Sequence, residues 1–309
     1  MAAAVSKPAV TTSGWTGLAG VERALAELRG GDSLGSVRAT TLNLVITCSS
    51  DDDADATERV LEGIGGSRPL RAIVINPTGG TPKARVASTC WSGGGQQVCT
   101  ERILIHGARA ALPSAVLSLL VADLPVFLWW QGRIPDPDDP VLQELVEAAT
   151  RVIVDSDQAG IEAVRHVERM AAGLADLAWV RTNPWREAIA ALFDAPQQRK
   201  ALDHLIGVEV TGPANQAALL VGWLRSRLQR QVGLDVSRAR RINRVELLCG
   251  DEPFVVERSA RNEHGEARGP DLAPRAVGLP APGLVALLSG ELDRLGAERP
   301  FEQALAAAA

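Results

Sequence analysis

From residue 40 to residue 172, runs of aliphatic and β-branched residues alternate with helix-like segments, and this alternation constrains the fold most strongly. Residues 40–47 and 71–75 are typical of buried strands, and residues 54–64 between them have the spacing of a helix. A strand–helix–strand unit of this kind forms parallel pairs with a right-handed crossover. The pattern therefore predicts an open, mostly parallel α/β sheet.

The same alternation continues on both sides of that unit. An amphipathic helix is predicted over residues 21–28, and further strands over 98–106, 124–130 and 151–155. Residues 1–20 are rich in Ala, Ser, Thr and Gly and are predicted to form a flexible arm. Residues 77–95 are predicted to form a glycine-rich loop.

After residue 180 the pattern changes to long helices followed by hairpin-like strands. Helices are predicted over residues 216–231 and 283–295, and strands over 205–210, 241–249 and 253–258. This second half is predicted to be α+β. With 309 residues, the chain is expected to contain a flexible arm (1–20), an N-terminal α/β domain (21–180) and a C-terminal α+β domain (181–309).

Charge and hydropathy exclude several classes of partner. The net charge of −5 gives no overall attraction to nucleic acid or to an anionic membrane. The longest apolar run, residues 110–122, contains Pro113 and is shorter than the ~20 residues that a bilayer span needs. The N-terminal residues lack a signal-peptide pattern, so we expect a cytoplasmic protein.

The sequence offers little catalytic machinery. Its four histidines are scattered and form no metal-binding motif: His106, His166, His204 and His264. Asp51–Asp53 could bind a metal, but acidic residues at the start of a helix are the commoner reason for such a cluster. No phosphate-binding glycine motif and no Gly-x-Ser-x-Gly motif is present. We therefore expect a protein without enzymatic activity, metal or cofactor.

The aromatic residues have an unusual distribution, with seven Trp, four Phe and no Tyr. Trp129 and Trp130 are adjacent on a predicted strand, where neighbouring side chains point to opposite faces. One ring could fill the core while the other meets a partner, because Trp is enriched at binding hot spots. Alternatively, both rings lie in a sheet that is covered on both faces. The spacing does not separate these interpretations.

A second unusual stretch, residues 176–187, contains two tryptophans and two arginines around Pro184. Arg181 and Arg186 could clamp a phosphate or a partner's carboxylate. Alternatively, they cap the preceding helix and pair with Asp176 or Glu187. The basic run over residues 238–244 could meet an acidic partner or form the solvated face of a strand.

These stretches resemble the glucose-6-phosphate dehydrogenase assembly protein family, OpcA, of cyanobacteria and actinobacteria. The resemblance rests on Asp123-Leu-Pro-Val-Phe-Leu-Trp-Trp130, on Asp176-Leu-Ala-Trp179 and on Asn183-Pro-Trp-Arg186, with support from residues 219–228, 245–247 and 254–258. It implies a non-catalytic allosteric activator that binds glucose-6-phosphate dehydrogenase, promotes its active oligomer and raises flux into the oxidative pentose phosphate pathway. The candidate interface or motif residues are Asp123, Pro125, Trp129, Trp130, Trp179, Arg181, Trp185 and Arg186.

In the cyanobacterial branch the resemblance also implies redox control, with thioredoxin as a second candidate partner. Cys90 and Cys99 lie in the glycine-rich loop and the strand after it, which is the more exposed context. We therefore take these two cysteines as redox candidates and expect Cys48 and Cys249 to be buried. The alternative function is a sugar-phosphate- or nucleotide-binding α/β enzyme or sensor that uses Arg181, Arg186 or His106.

Overall fold

The computed structural model describes residues 9–30, 40–65, 68–93, 96–259 and 263–308. Within these ranges the strands form two sheets, one of eight strands and one of six. The helices are α1 (Val21–Gly30), α2 (Asp51–Gly65), α3 (Leu112–Leu117), α4 (Pro140–Ala148), α5 (Ser156–Ala159), α6 (Ile161–Met170), α7 (Leu177–Arg181), α8 (Asn183–Leu192), α9 (Pro196–Ala201), α10 (Ala214–Leu228), α11 (Leu284–Glu291) and α12 (Arg299–Ala307). None of these helices has the length and apolar character needed to cross a bilayer.

The larger sheet confirms the predicted α/β fold class. Its strands are β1 (Ala9–Gly17), β2 (Asn43–Thr47), β3 (Arg71–Asn76), β4 (Lys83–Gly93), β5 (Gln96–His106), β6 (Val126–Trp130), β7 (Arg151–Val154) and β8 (Leu174–Asp176), in the order β1-β4-β5-β3-β2-β6-β7-β8. Strands β5, β3, β2, β6 and β7 pair in parallel. Every residue of β2, β3 and β7 is buried, as expected for parallel strands with both faces covered.

Two expectations about the first hundred residues are wrong. The predicted loop over residues 77–95 contains β4, which pairs antiparallel with β5 along its length. The predicted flexible arm contains β1, which pairs with β4, while residues 1–8 lie outside the described ranges. Both segments contain Val, Thr and Trp residues that suit a strand, and their glycine content concealed this signal.

The smaller sheet contains β9 (Gly207–Gly212), β10 (Gly233–Arg238), β11 (Arg244–Leu248), β12 (Phe254–Arg258), β13 (His264–Gly269) and β14 (Leu272–Gly278), in the order β10-β9-β11-β12-β13-β14. Only the β10–β9 pair among these is parallel. Apolar residues of α8, α10 and four of these strands form one buried cluster that includes Trp185, Leu220 and Val245. This mixture agrees with the α+β architecture predicted for the second half.

The chain divides into two compact units that share its length in an interleaved way. The first unit contains Met1–Val154, His166–Ala175 and Leu284–Gly296, and the second contains Asp155–Arg165, Asp176–Gly283 and Ala297–Ala309. This division differs from a single boundary at residue 180. Sequence order alone did not show that residues 284–296 return to the first unit.

A buried ion pair holds that returning segment in the first unit. Arg151, at the start of β7, donates from Nη2 to Glu291 Oε2 at 2.8 Å and from Nη1 to the carbonyl of Gly296. Both side chains are almost completely buried. On the same segment, Asp293 accepts a 2.6 Å hydrogen bond from Arg68.

In the second unit, α10 packs directly against the backbone of α12 at Gly222. A Cβ atom at Gly222 would collide with the carbonyl oxygen of Ala304 and would also crowd the amide nitrogen of Ala308. The close approach of the two helices therefore requires glycine at this position.

We expect Gly222→Ala to lower the free energy of unfolding by about 1–3 kcal/mol, because the added methyl group meets backbone that cannot rotate away. Gly290→Ala is the control, since nothing within 4 Å meets a Cβ there and the position lies in α11. That control should be neutral or stabilising by up to about 1 kcal/mol. Chemical denaturation measures both variants, and equal stability of the two would contradict the packing described for α10 and α12.

Candidate functional site

The first site to test is the carboxyl edge of the larger sheet. The chain proceeds from β2 to β3 and β5 on one side and places β6 on the other, so the connections reverse between β2 and β6. Ligands of open α/β sheets bind outside the carboxyl ends of the strands at such a reversal. A cavity of about 220 Å³ lies there, and its lining includes Thr47, Cys48, Trp130 and Gln131.

The chemistry of this edge does not suit a phosphate. Asp51–Asp53 form the first turn of α2, as predicted, and place three carboxylates where a nucleotide phosphate would meet the helix N-terminus. The side chain of Gln131 occupies the neighbouring space and donates to Thr57 Oγ1 at 2.6 Å. Within the described ranges, no group of three or more His, Cys, Asp or Glu residues is arranged to hold a metal ion.

His106 ends β5, and its surroundings are those of a structural residue. Its ring lies 4.6 Å from the ring of Trp15, measured between centroids, and its Nε2 lies 3.9 Å from Asp51 Oδ1. Burial lowers the pKa of His106, against the opposing effect of the Asp51 carboxylate. The imidazole packs against the indole with the two ring planes inclined at 54°, so the contact contributes mainly packing. Its role as a ligand residue stays a prediction.

Trp129 and Trp130 lie within β6 and are both buried, at 5% and 7% exposure. Trp130 donates from Nε1 to the carbonyl of Arg133 at 3.2 Å, so its polar edge already has a partner. This burial matches the alternative in which the sheet is covered on both faces. Within the same motif Asp123 is exposed, with a left-handed backbone (φ 62°), and Pro125 is half-buried.

Trp179 and Arg186 form one compact cluster in the second unit. The Arg186 guanidinium carbon lies 3.4 Å from the centroid of the Trp179 ring, and Trp179 Nε1 donates to Glu298 Oε1 at 2.7 Å. Phe301 packs on the same indole, with ring centroids 5.8 Å apart. Burial lowers the pKa of Arg186 to about 10. The cluster joins α7, α8 and the start of α12.

Arg181 does not pair with Asp176 or Glu187, the two partners considered from the sequence. It makes a bidentate ion pair with Asp155, with both N–O distances 2.8 Å, and lies 3.6 Å from Asp157. Asp176 instead caps two helices, because its Oδ1 accepts 2.9 Å bonds from the backbone nitrogens of Ser156 and Ala178. These contacts fix the turns that follow β7 and β8.

Trp185 is the fourth tryptophan of the predicted set. It is 2% exposed and belongs to the core of the second unit. The guanidinium carbon of Arg258 lies 5.5 Å from its ring centroid. Arg258 also contributes to a cleft with Arg240 and Arg241, and the sequence identified only the basic run that contains the latter two.

The cysteines differ from the expectation in exposure. Cys90 and Cys99 face each other across the β4–β5 hairpin and form a disulfide. Both are buried, as are the free cysteines Cys48 and Cys249, so the predicted contrast in exposure is wrong. Burial raises the pKa of both free thiols to about 11, which makes these two cysteines unreactive near neutral pH.

Comparison with known families decides the assignment. Two family models, described as the N-terminal and C-terminal domains of a glucose-6-phosphate dehydrogenase subunit and carrying the name OpcA, match residues 62–172 and 172–305. The chain belongs to the OpcA family. The predicted resemblance is thereby confirmed, and both motif-bearing segments, in β6 and around α7 and α8, lie inside the matched residues.

The chain is also similar to individual curated proteins of this family. The chain is 35% identical over 191 residues to a putative OxPP cycle protein OpcA of Nostoc punctiforme, covering 56% of this chain and 41% of the relative. It is 29% identical over 188 residues to the protein of the same description from Synechocystis, covering 55% and 39% respectively. The alignments thus span less than half the length of these curated relatives.

The chain also has a weak likeness to solved dehydrogenase structures. Levoglucosan dehydrogenase in complex with NADH and L-sorbose aligns with a TM-score of 0.42 and 10% identity, over 87% of this chain and 94% of the other. A likeness of this degree says nothing about function.

The buried Asp176 generates a prediction about pH. Desolvation raises its pKa to about 7, from an ordinary value of 3.8, against the lowering effect of its hydrogen bonds. The folded protein therefore binds this proton more tightly than the unfolded chain, so the resulting stability is lost as pH rises from about 4 to about 7. Asp176→Asn keeps the capping oxygen and removes the ionisation. We expect its free energy of unfolding to fall less than that of the native protein over this range.

The measurement is chemical denaturation at several pH values, with Asp138→Asn as the control, because Asp138 is exposed. The control should keep the native pH dependence. If Asp176→Asn also keeps it unchanged, Asp176 does not hold a proton in the folded protein near neutral pH.

Proposed function

We propose that this protein binds glucose-6-phosphate dehydrogenase and promotes its active oligomer, without catalysing a reaction itself. The observation that carries the proposal is the match of both OpcA domain models, which together extend over residues 62–305. The buried, partnered state of the unusual tryptophans supports a structural role for them. The carboxylates at the start of α2 argue against a nucleotide at the edge where such a fold would bind one.

An activator of this kind works only through a difference in affinity. It must bind the active oligomer of the enzyme more tightly than the inactive form, because a ligand with equal affinity for both states shifts neither. A shift from 1% to 99% active enzyme requires about 5.5 kcal/mol of differential binding. The activation should therefore saturate with concentration and should coincide with a change in the size of the enzyme.

The docking surface must use exposed atoms. Trp129, Trp130, Trp179 and Trp185 each have 7% or less of their surface exposed, so a partner could reach them only after rearrangement. Asp123 is the exposed residue of the same sequence motifs and lies in a left-handed turn three positions before β6. We infer that the start of the β6 motif, with Asp123 and Pro125, forms part of the docking surface.

The first experiment mixes the protein with the dehydrogenase of the same organism. NADP reduction at low substrate should increase with added protein, and the two should co-elute from a sizing column as a larger enzyme species. Asp123→Asn keeps the left-handed turn and removes the charge. We expect it to raise the concentration for half-maximal activation about tenfold, or 1.4 kcal/mol.

Asp138→Asn, which removes another exposed charge of the same unit, should leave activation unchanged. Unaltered kinetics with the native protein, together with separate elution, would rule out the proposed function. Normal activation by Asp123→Asn would reject only the proposed docking surface.

We also propose redox control through the Cys90–Cys99 disulfide, with thioredoxin as the reductant. The two residues are nine positions apart, and closing a loop of this size stabilises the folded state by about 2–3 kcal/mol in the chain-entropy description. Reduction would release this covalent link between β4 and β5. The free thiols of Cys48 and Cys249 are poor partners for exchange with this disulfide, because burial raises their pKa values.

The variant Cys90→Ser with Cys99→Ser tests this control. We expect the oxidised native protein to be about 2–3 kcal/mol more stable than the reduced one, and the double variant to show no effect of reductant. Activation of the dehydrogenase should change on reduction of the native protein and stay constant for the double variant. Native activation that is identical with and without a dithiol reductant would eliminate the redox proposal.

A further inference from the structure

The second unit contains a cleft of about 370 Å³ that the proposed function does not use. Arg240, Arg241 and Arg258 contribute to its lining, together with the ion-paired Asp155 and Arg181. Sites for small molecules commonly occupy roughly 300–1,000 Å³, so this volume suits a small metabolite.

The first two arginines are presented by a firmly held turn between β10 and β11. Its backbone is bonded to β9 at both ends, through Ala239 N to Gly212 O at 3.2 Å and Asn243 N to Thr211 O at 2.8 Å. Ile242 anchors the turn in the core with 1% exposure. Arg240 and Arg241 are exposed on this fixed turn and line the cleft. The cations are thus presented on a rigid support.

The positive charge here has little compensation. Within the described ranges, neither Arg240 nor Arg241 makes a hydrogen bond or an ion pair. Arg258 donates to two backbone carbonyls, Ile242 O at 3.3 Å and Leu279 O, and among the residues that the structure describes it bonds to no carboxylate. Burial lowers the pKa of Arg258, and the charge of Arg241 lowers it further, with the exposed Glu263 acting in the opposite direction. An anion bound here would relieve this repulsion.

Another part of the cleft lining carries carboxylate and amide groups, from Asp155, Asp157 and Gln216. Arg181 neutralises Asp155 through its bidentate pair, and Gln216 Nε2 donates to Asp157 Oδ2 at 2.5 Å. Burial raises the pKa of Asp157. The remaining lone pairs of these carboxylates accept hydrogen bonds, which suits the hydroxyl groups of a ligand.

We propose that this cleft binds a small phosphorylated polyhydroxy metabolite of the sugar-phosphate class. Arg240, Arg241 and Arg258 hold the phosphate, for which the planar guanidinium fork is the best geometric match among side chains. Asp157 and its neighbours receive the hydroxyl groups. Trp185 keeps Arg258 in place through the contact between its indole and the guanidinium. Its residues are not those of the β6 motif that we propose for docking.

Isothermal titration calorimetry of the full chain tests the proposal, with glucose 6-phosphate, glucose and inorganic phosphate as probes. Glucose 6-phosphate should bind in a saturable way, at least tenfold more tightly than either of the other two. Arg241→Gln should weaken it at least tenfold, because this variant removes a phosphate contact without removing any internal bond. Arg275→Gln is the matched control, since Arg275 is an exposed arginine of β14 that does not line the cleft.

Several results would overturn the proposal. Absence of heat with every probe, or equal affinity for inorganic phosphate and the sugar phosphate, would each reject a sugar-phosphate site. Equal losses of affinity in Arg241→Gln and Arg275→Gln would show that overall charge, and not a contact in the cleft, causes the effect. If hexaglutamate displaces glucose 6-phosphate at a concentration lower than that of the sugar phosphate, the arginines bind an acidic protein segment instead. Thermal melting without ligand confirms that both variants fold.

Discussion

The buried pair of Arg151 and Glu291 determines how the first unit is assembled. Removing both charges from water costs several kcal/mol per ion, and the pair recovers this only through good geometry and further hydrogen bonds. Arg151 gains such a bond from the carbonyl of Gly296, and Glu291 gains one from Arg294. Loss of either charge would strand the other in the interior, at a cost of about 3–5 kcal/mol. Residues 284–296 therefore belong to the first unit despite lying more than a hundred residues beyond β7.

The same principle explains several other arginines of the chain, and it does not explain the two on the turn between β10 and β11. In the second unit, Arg165 donates to the carbonyls of Leu305 and Ala308, and Arg225 donates to that of Val232. These guanidinium groups satisfy backbone oxygens at the ends of helices and strands, where orphan carbonyls are found. Arg240 and Arg241 have no such task within the described ranges. A turn that is bonded at both ends and brings two cations to one cleft suits the binding element that we propose.

The sequence predicted the larger sheet well because strand–helix alternation is a local signal that repeats along the chain. It failed for β4 and β1, where glycine and small polar residues hide the strand pattern, and for the edge strand β1 the partner β4 is also distant in sequence. The ion pair between Arg181 and Asp155 illustrates a further limit of prediction from sequence. Arg181 was singled out from its motif, but its partner Asp155 lies 26 positions away, so no spacing rule could have identified that ion pair. Asp155 and Asp157 could have been noticed as acidic residues that follow a strand.

The tryptophans show why a distinctive motif need not be a contact surface. Strand periodicity places Trp129 and Trp130 on opposite faces of β6, and it cannot tell whether one of those faces is covered. In this sheet β6 lies between β2 and β7. Both of its faces are covered, because helices pack on either side of a parallel sheet. A rigid indole with a bonded Nε1 then specifies the packing of the core. The motif thus identifies the family through the demands of its fold, and recognition of a partner has to come from the exposed residues that this fold presents.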